Sequence, residues 1–149
     1  MSVELRATPF SPFQEIEQYQ LRSQNLKGNH GATASFIGVL RNQNAGDRVV
    51  RMFLEHYAGM TEKYLTQIRE SAHGHWQLLD SLIIHRVGEI QCGDAIVVVA
   101  AWSSHRGDAL DACRHMIEEL KTRAPFWKRE TLDDGSDRWV SHNTSGYAD

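Results

Sequence analysis

Lysine is scarce in this chain. Only Lys27, Lys63, Lys121 and Lys128 occur among 149 residues, and the formal net charge is -3. With a pI near 6.2, the sequence lacks the broad basic excess of a general nucleic-acid binder. Cysteine is scarcer still. Cys92 and Cys113 show no CxxC spacing and no secretory segment precedes them, so two free thiols in a reducing cytoplasm are expected. No apolar run reaches membrane-spanning length, Ala95–Trp102 being far too short. HExxH, a Cys/His quartet, GxSxG, the Walker A loop and GxGxxG are all absent. His73-Gly74-His75 is the only close histidine pair, and it falls on a predicted turn. These absences leave no pattern for a metal site, a serine hydrolase, or use of ATP or NAD, and no cofactor is expected.

What remains is ordinary globular composition, 41% hydrophobic and 23% charged, in a length that suits one domain. Val3–Ala7 is expected as an edge strand. Ser11-Pro12-Phe13-Gln14 predicts a helix start, with Ser11 as cap, Gln14 closing a capping box, and Phe13 and Ile16 facing inward. Gly31–Leu40 and Val49–Tyr57 alternate at period two and predict strands joined by a polar loop from Arg41 to Asp47. Thr61–His73 is amphipathic, with Gly74 as its stop. A strand at Ser81–Arg86, a short hairpin near Val87-Gly88 and a turn at Cys92-Gly93-Asp94 follow. Ala95–Ser103 is the most apolar strand and is expected at the centre of the sheet. Ser104–Leu120 is the strongest helix, burying Ala109, Ala112, Cys113, Met116, Ile117 and Leu120. Pro125 bars its continuation, and Trp139-Val140 is read as a last short strand. Residues 141–149 are polar and expected to be a mobile tail. The mixed order of elements predicts an α+β fold, a compact two-layer domain with a mainly antiparallel sheet packed by helices.

Three basic clusters stand out on this acidic chain. Lys121-Thr122-Arg123-Ala124-Pro125-Phe126-Trp127-Lys128-Arg129-Glu130 sets half of all the lysines beside apolar side chains. Desolvation and mutual repulsion both disfavour the charged ammonium, so such a lysine can act as acid, base or nucleophile near neutral pH. A solvated basic turn after a helix accounts for the same residues. Ser103-Ser104-His105-Arg106-Gly107-Asp108 lies at a predicted helix N-terminus, where free N–H groups and positive side chains cradle anions such as phosphate. A plain serine cap with a surface arginine is the alternative there. Arg41 ends a strand, where loops often bind ligands; a lone solvated arginine is the alternative, unless it meets the other two sites in space. His85-Arg86 either lines a pocket or packs in the core.

Five segments occur together in order: Phe36-Ile37-Gly38-Val39-Leu40-Arg41-Asn42, Leu54-Glu55-His56-Tyr57-Ala58-Gly59-Met60, Ile84-His85-Arg86-Val87-Gly88, Ser104-His105-Arg106, and Leu120 through Glu130. Over residues 31 to 140 the chain resembles the large, catalytic subunit of molybdopterin synthase, the MoaE family; residues 1–30 match weakly. The resemblance implies a sulfurtransferase of molybdenum cofactor biosynthesis. Its substrate would be a cyclic pyranopterin monophosphate, and its sulfur donor the C-terminal thiocarboxylate of a small ubiquitin-like subunit. It also implies a homodimer of large subunits within a heterotetramer, in the cytoplasm. Lys121 and Lys128 match the family's catalytic lysines. Val39, Leu40, Arg41, His105, Arg106, Lys121, Lys128, Arg129 and Glu130 are the substrate-binding residues so implied. Two other readings stay open: a different phosphate-ester enzyme using the same Lys/Arg/His pocket, and a non-catalytic adaptor for a ubiquitin-like tail.

Overall fold

The run after Asp94 is apolar on both faces, which only a doubly covered strand tolerates. In a computed structural model, which describes residues 2–123, 126–140 and 146–147, this run is β7 (Ala95–Ser103), buried from Val97 onward. It lies in a four-stranded sheet between β5 (Leu78–Arg86) and β2 (Ala32–Val39), antiparallel to both; β1 (Val3–Arg6) adds to β5 in parallel at the far edge. Helices α2 (Met60–His75) and α3 (Arg106–Arg123) cover one face through Leu65, Ile68, Ala112, Met116 and Leu120. Helix α1 (Pro12–Arg22) and a 3-10 turn at Gln24–Leu26 cover the other, with Tyr19 stacked on Trp102 at 5.3 Å.

A second sheet is built around β4 (Asp47–His56). Here β4 pairs antiparallel with β3 (Gln43–Asn44), β6 (Gly88–Gln91) and β8 (Phe126–Leu132), and β9 (Asp137–Val140) flanks β8. Leu40, Met52, Leu54, Val87 and Ile90 form its core, which Phe126 and Ile96 join to the first sheet. The fold is the expected α+β arrangement of mainly antiparallel sheet packed by helices.

Several local expectations differ. Ser11 makes no side-chain cap, and Phe13 is 75% exposed because α1 turns Ile16 and Tyr19 inward instead. Gly74 does not stop α2; it lies in the last turn, and the chain becomes extended at Trp76. Val87-Gly88 is not a hairpin. Gly88, at φ 78°, redirects the chain so that β6 leaves the first sheet and pairs with β4. Phe126–Leu132 is a strand rather than a basic turn. Pro125 and the expected mobile tail, apart from Gly146 and Tyr147, lie outside the described residues.

Candidate active site

Lys121 and Lys128 are brought together by two unrelated elements. Lys121 lies in the last turn of α3, held down by the buried stripe that ends at Leu120. Lys128 lies on β8, opposite Leu54 on one side and Val140 on the other. Strand side chains alternate, so Lys128 and Glu130 share one face of β8 while Trp127 and Arg129 take the other. The shared face opens on a cavity of about 120 Å³ lined by Val39, Leu40, Arg41, Lys121, Lys128 and Glu130. A larger cleft of about 670 Å³ adjoins it, walled by Tyr57, Trp127 and Trp139 and reaching Lys128 as well.

The cavity is electropositive and poorly solvated. Burial lowers the pKa of Lys121. Burial, and then the charge of Lys121, push Lys128 down from 10.5 to about 8, with Glu130 opposing in part. Beneath the pair, His85 is only 2% exposed and stacks on Phe126 at 4.1 Å. Its Nδ1 sits 2.7 Å from the Arg86 carbonyl, an acceptor, so Nδ1 carries the proton. Burial, followed by the two lysine charges, drives His85 down to about 3 against that hydrogen bond, and the imidazole is neutral at physiological pH. The site therefore sets two ammonium groups and a guanidinium on a neutral floor, an arrangement that attracts a phosphate and supplies protons.

Six expected site residues line this cavity: Val39, Leu40, Arg41, Lys121, Lys128 and Glu130. Three do not. Arg129 lies on the opposite face of β8, with its guanidinium over Phe53 at 5.3 Å and Trp139 at 5.8 Å. Arg106 opens α3 and His105 precedes it, whereas Lys121 closes the same helix; fifteen residues of helical rise separate the two ends by about 22 Å. Within one chain, His105 and Arg106 cannot reach the lysines. Asn44, in the loop that follows Arg41, and Arg138, which sequence reasoning missed, bind the Glu130 carboxylate at 2.9 Å and 3.0 Å. The charged alternation of β8 and β9 signals such pairing only once their register is known. Among the described residues no group of three or more His, Cys, Asp or Glu side chains is placed to hold a metal ion. No described helix is long and apolar enough to cross a membrane.

The family and the fold recur among known proteins. The family model for the MoaE protein matches residues 7–123. The molybdopterin synthase catalytic subunit of Salmonella typhimurium is 46% identical over 135 residues, covering 91% of this chain and 88% of that protein. The catalytic subunit of Pseudomonas aeruginosa is 43% identical over 148 residues, covering 99% of this chain and 95% of that one. Among solved structures, the molybdopterin biosynthesis MoaE protein of Burkholderia ambifaria superposes with a TM-score of 0.78 at 40% identity, covering 97% of this chain and 91% of that chain. With both lysine-bearing elements inside a fold shared over nearly its whole length, the chain belongs to the MoaE family, the molybdopterin synthase catalytic subunits.

Proposed function

We propose that the Lys121–Lys128–Arg41 cavity is where sulfur is transferred to a cyclic pyranopterin monophosphate. The observation that carries this reading is the meeting of two lysines of depressed pKa, one from α3 and one from β8, beside Arg41. Arg41 binds the substrate phosphate. Lys121 does acid/base and electrostatic work at the incoming thiocarboxylate, and Lys128 stabilises negative charge developing on the substrate or the leaving phosphate oxygen. Val39 and Leu40 wall the pterin, and Glu130 borders the pocket. The sulfur donor is a small ubiquitin-like subunit with a C-terminal thiocarboxylate. The aromatic cleft of Tyr57, Trp127 and Trp139 gives an extended tail a path to Lys128.

His105 and Arg106 enter through a second large subunit. Among the described residues, strand β2 has a sheet partner on only one side, and Phe36 and Leu110 stand exposed beside it. Two such edges paired antiparallel about a two-fold axis set α3 against its copy head to tail. The His105–Arg106 end of one helix then approaches the Lys121 end of the other and supplies a second phosphate contact. The protein acts as one domain per subunit, in the cytoplasm.

The test is dithiolene formation from the cyclic pyranopterin monophosphate with a thiocarboxylated small subunit. Lys121→Ala should reduce turnover by 10²-fold or more, while melting temperature and small-subunit binding stay near wild type. Normal turnover by this variant would remove Lys121 from the mechanism. Tight tail binding without product from the wild type would establish an adaptor instead.

A further inference from the structure

Glu130 carries a carboxylate two residues from Lys128 on the same face of β8, inside the same cavity. It is 4% exposed, yet its oxygens are committed away from the lysine. Arg138 stands directly opposite on β9 and donates from Nε to Glu130 Oε1 at 3.0 Å. Asn44 donates from Nδ2 to Glu130 Oε2 at 2.9 Å. The same guanidinium donates through Nη2 to the Asn44 carbonyl at 2.8 Å and through Nη1 to Asp47 Oδ2 at 2.7 Å. One arginine therefore closes a ring through Glu130, Asn44 and the start of β4, and ties the β3–β4 turn to β8 and β9.

We propose that Arg138 is a positioning residue of the sulfur-transfer site: by binding Glu130 and the Asn44 turn, it weakens the pull of the Glu130 carboxylate on Lys128 and fixes the rim beside Arg41. This rests on the role assigned to Lys128 above. The physical basis is simple. A carboxylate a few ångströms from an ammonium stabilises the ammonium, unless a third charge neutralises the carboxylate. Arg138 is that third charge. Among the described residues, the other titratable groups beside Lys128 include Lys121 from α3, Arg41 after β2, His85 from β5 by way of Phe126, and Glu55 and Tyr57 at the end of β4. Lys121, Arg41 and neutral His85 do not hold the proton on Lys128. Glu55 is exposed and screened by water, whereas Glu130 is a buried acid whose charge favours the Lys128 ammonium. With Arg138 in place, the burial and the Lys121 charge prevail, and Lys128 stays low, at about 8.

The experiment follows the lysine side chains of the full-length protein by NMR through a pH titration. Four lysines make a simple spectrum, and Lys128→Arg assigns the relevant signal. Arg138→Gln should move the Lys128 midpoint from about 8 by about one pH unit or more towards the free-lysine value, leaving about tenfold less neutral Lys128 at a given pH. The double variant Glu130→Gln/Arg138→Gln should bring it back to the wild-type value or below. Asn44→Ala, which removes one donor to Glu130 and leaves both strands intact, should give a smaller movement in the same direction and serves if Arg138→Gln does not fold. The pH dependence of kcat/KM should move with the midpoint, and Arg138→Lys should restore most of it. An unmoved Lys128 midpoint in folded Arg138→Gln, or in Asn44→Ala where Arg138→Gln is unfolded, overturns the proposal, as does a double variant that fails to reverse the shift. Because the titration is read without turnover, it is independent of the catalytic role of Lys128, which Lys128→Ala tests separately by the loss of product.

Discussion

A lysine held at about 8 destabilises the fold that holds it. In the unfolded chain Lys128 titrates near 10.5, and in the folded protein burial and Lys121 bring it to about 8. Between these values the unfolded state binds a proton that the folded state does not, so stability rises with pH across that window. Below pH 8 both states are protonated and the whole cost is present, about 3 kcal/mol for a depression of this size. Lys128→Met keeps the unbranched stem that fills the space beside Val140 and Leu54 and removes the charge. Partial solvent access lowers the expected gain to about 2 kcal/mol, or about 4–8 °C in Tm for a chain of this length. The variant should be inactive and more stable at pH 7, and the gain should shrink as pH approaches 10. Thermal melts of wild type and Lys128→Met at pH 7, 8.5 and 10 measure this. A Tm at or below wild type at pH 7, or a gain independent of pH, would refute the reasoning.

His85 gives the complementary effect in acid. Its folded value near 3 lies below the ordinary 6.5, so the unfolded state takes up the extra proton as pH falls below 6.5, and stability is lost from there downwards. Its contribution at pH 5 is a loss of about 2 kcal/mol. Urea unfolding of His85→Asn should therefore lose less stability between pH 7 and pH 5 than wild type does, and parallel curves would show that another group governs the acid limb. Asp80 ties α1 to the sheet, accepting hydrogen bonds from Tyr19, Ser23 and Arg69; burial opposes its ionisation, but these donors prevail and hold its pKa low. Asp80→Ala leaves Arg69 without this carboxylate and should cost about 3 kcal/mol, with hydrogen exchange rising first in α1. Unchanged α1 protection would place its anchor in the Tyr19–Trp102 stack instead.

Periodicity made much of the first sheet legible. The run Ala95–Ser103 is central, and all six residues of the predicted stripe from Ala109 to Leu120 are buried. Met52 and Leu54 point into the second core as their alternation requires. Strand β8 was not legible, and the reason is physical. One face carries Lys128 and Glu130 into a polar cavity, and the other carries Trp127 and Arg129 into an aromatic layer. Neither face repeats an apolar pattern, so Phe126–Leu132 offers no period-two signal. Arg106 opens α3 close to where the sequence places the helix start, but its distance from Lys121 follows from the length of the helix, which no local motif announces. Gly88 shows the same limit: a turn was visible, but whether the chain returned to its own sheet or crossed to another depended on β4, more than thirty residues upstream.

The depressed lysines are a consequence of where the two sheets join. Lys121 comes from a helix packed on the first sheet, and Lys128 from a strand of the second. Phe126 bridges the two, packing against both cores and stacking on His85. Desolvation at this seam is what lowers both lysines, so their chemistry depends on the closure of the seam and not on either element alone. The ring of Glu130, Arg138 and Asn44 borders the same cavity through Glu130 and Asn44. A substitution that loosens the junction, even without touching a lysine, returns water to the cavity and carries both groups back towards ordinary ammonium ions. The seam thus joins stability to reactivity: the packing that makes Lys128 costly to bury is the packing that makes its proton available.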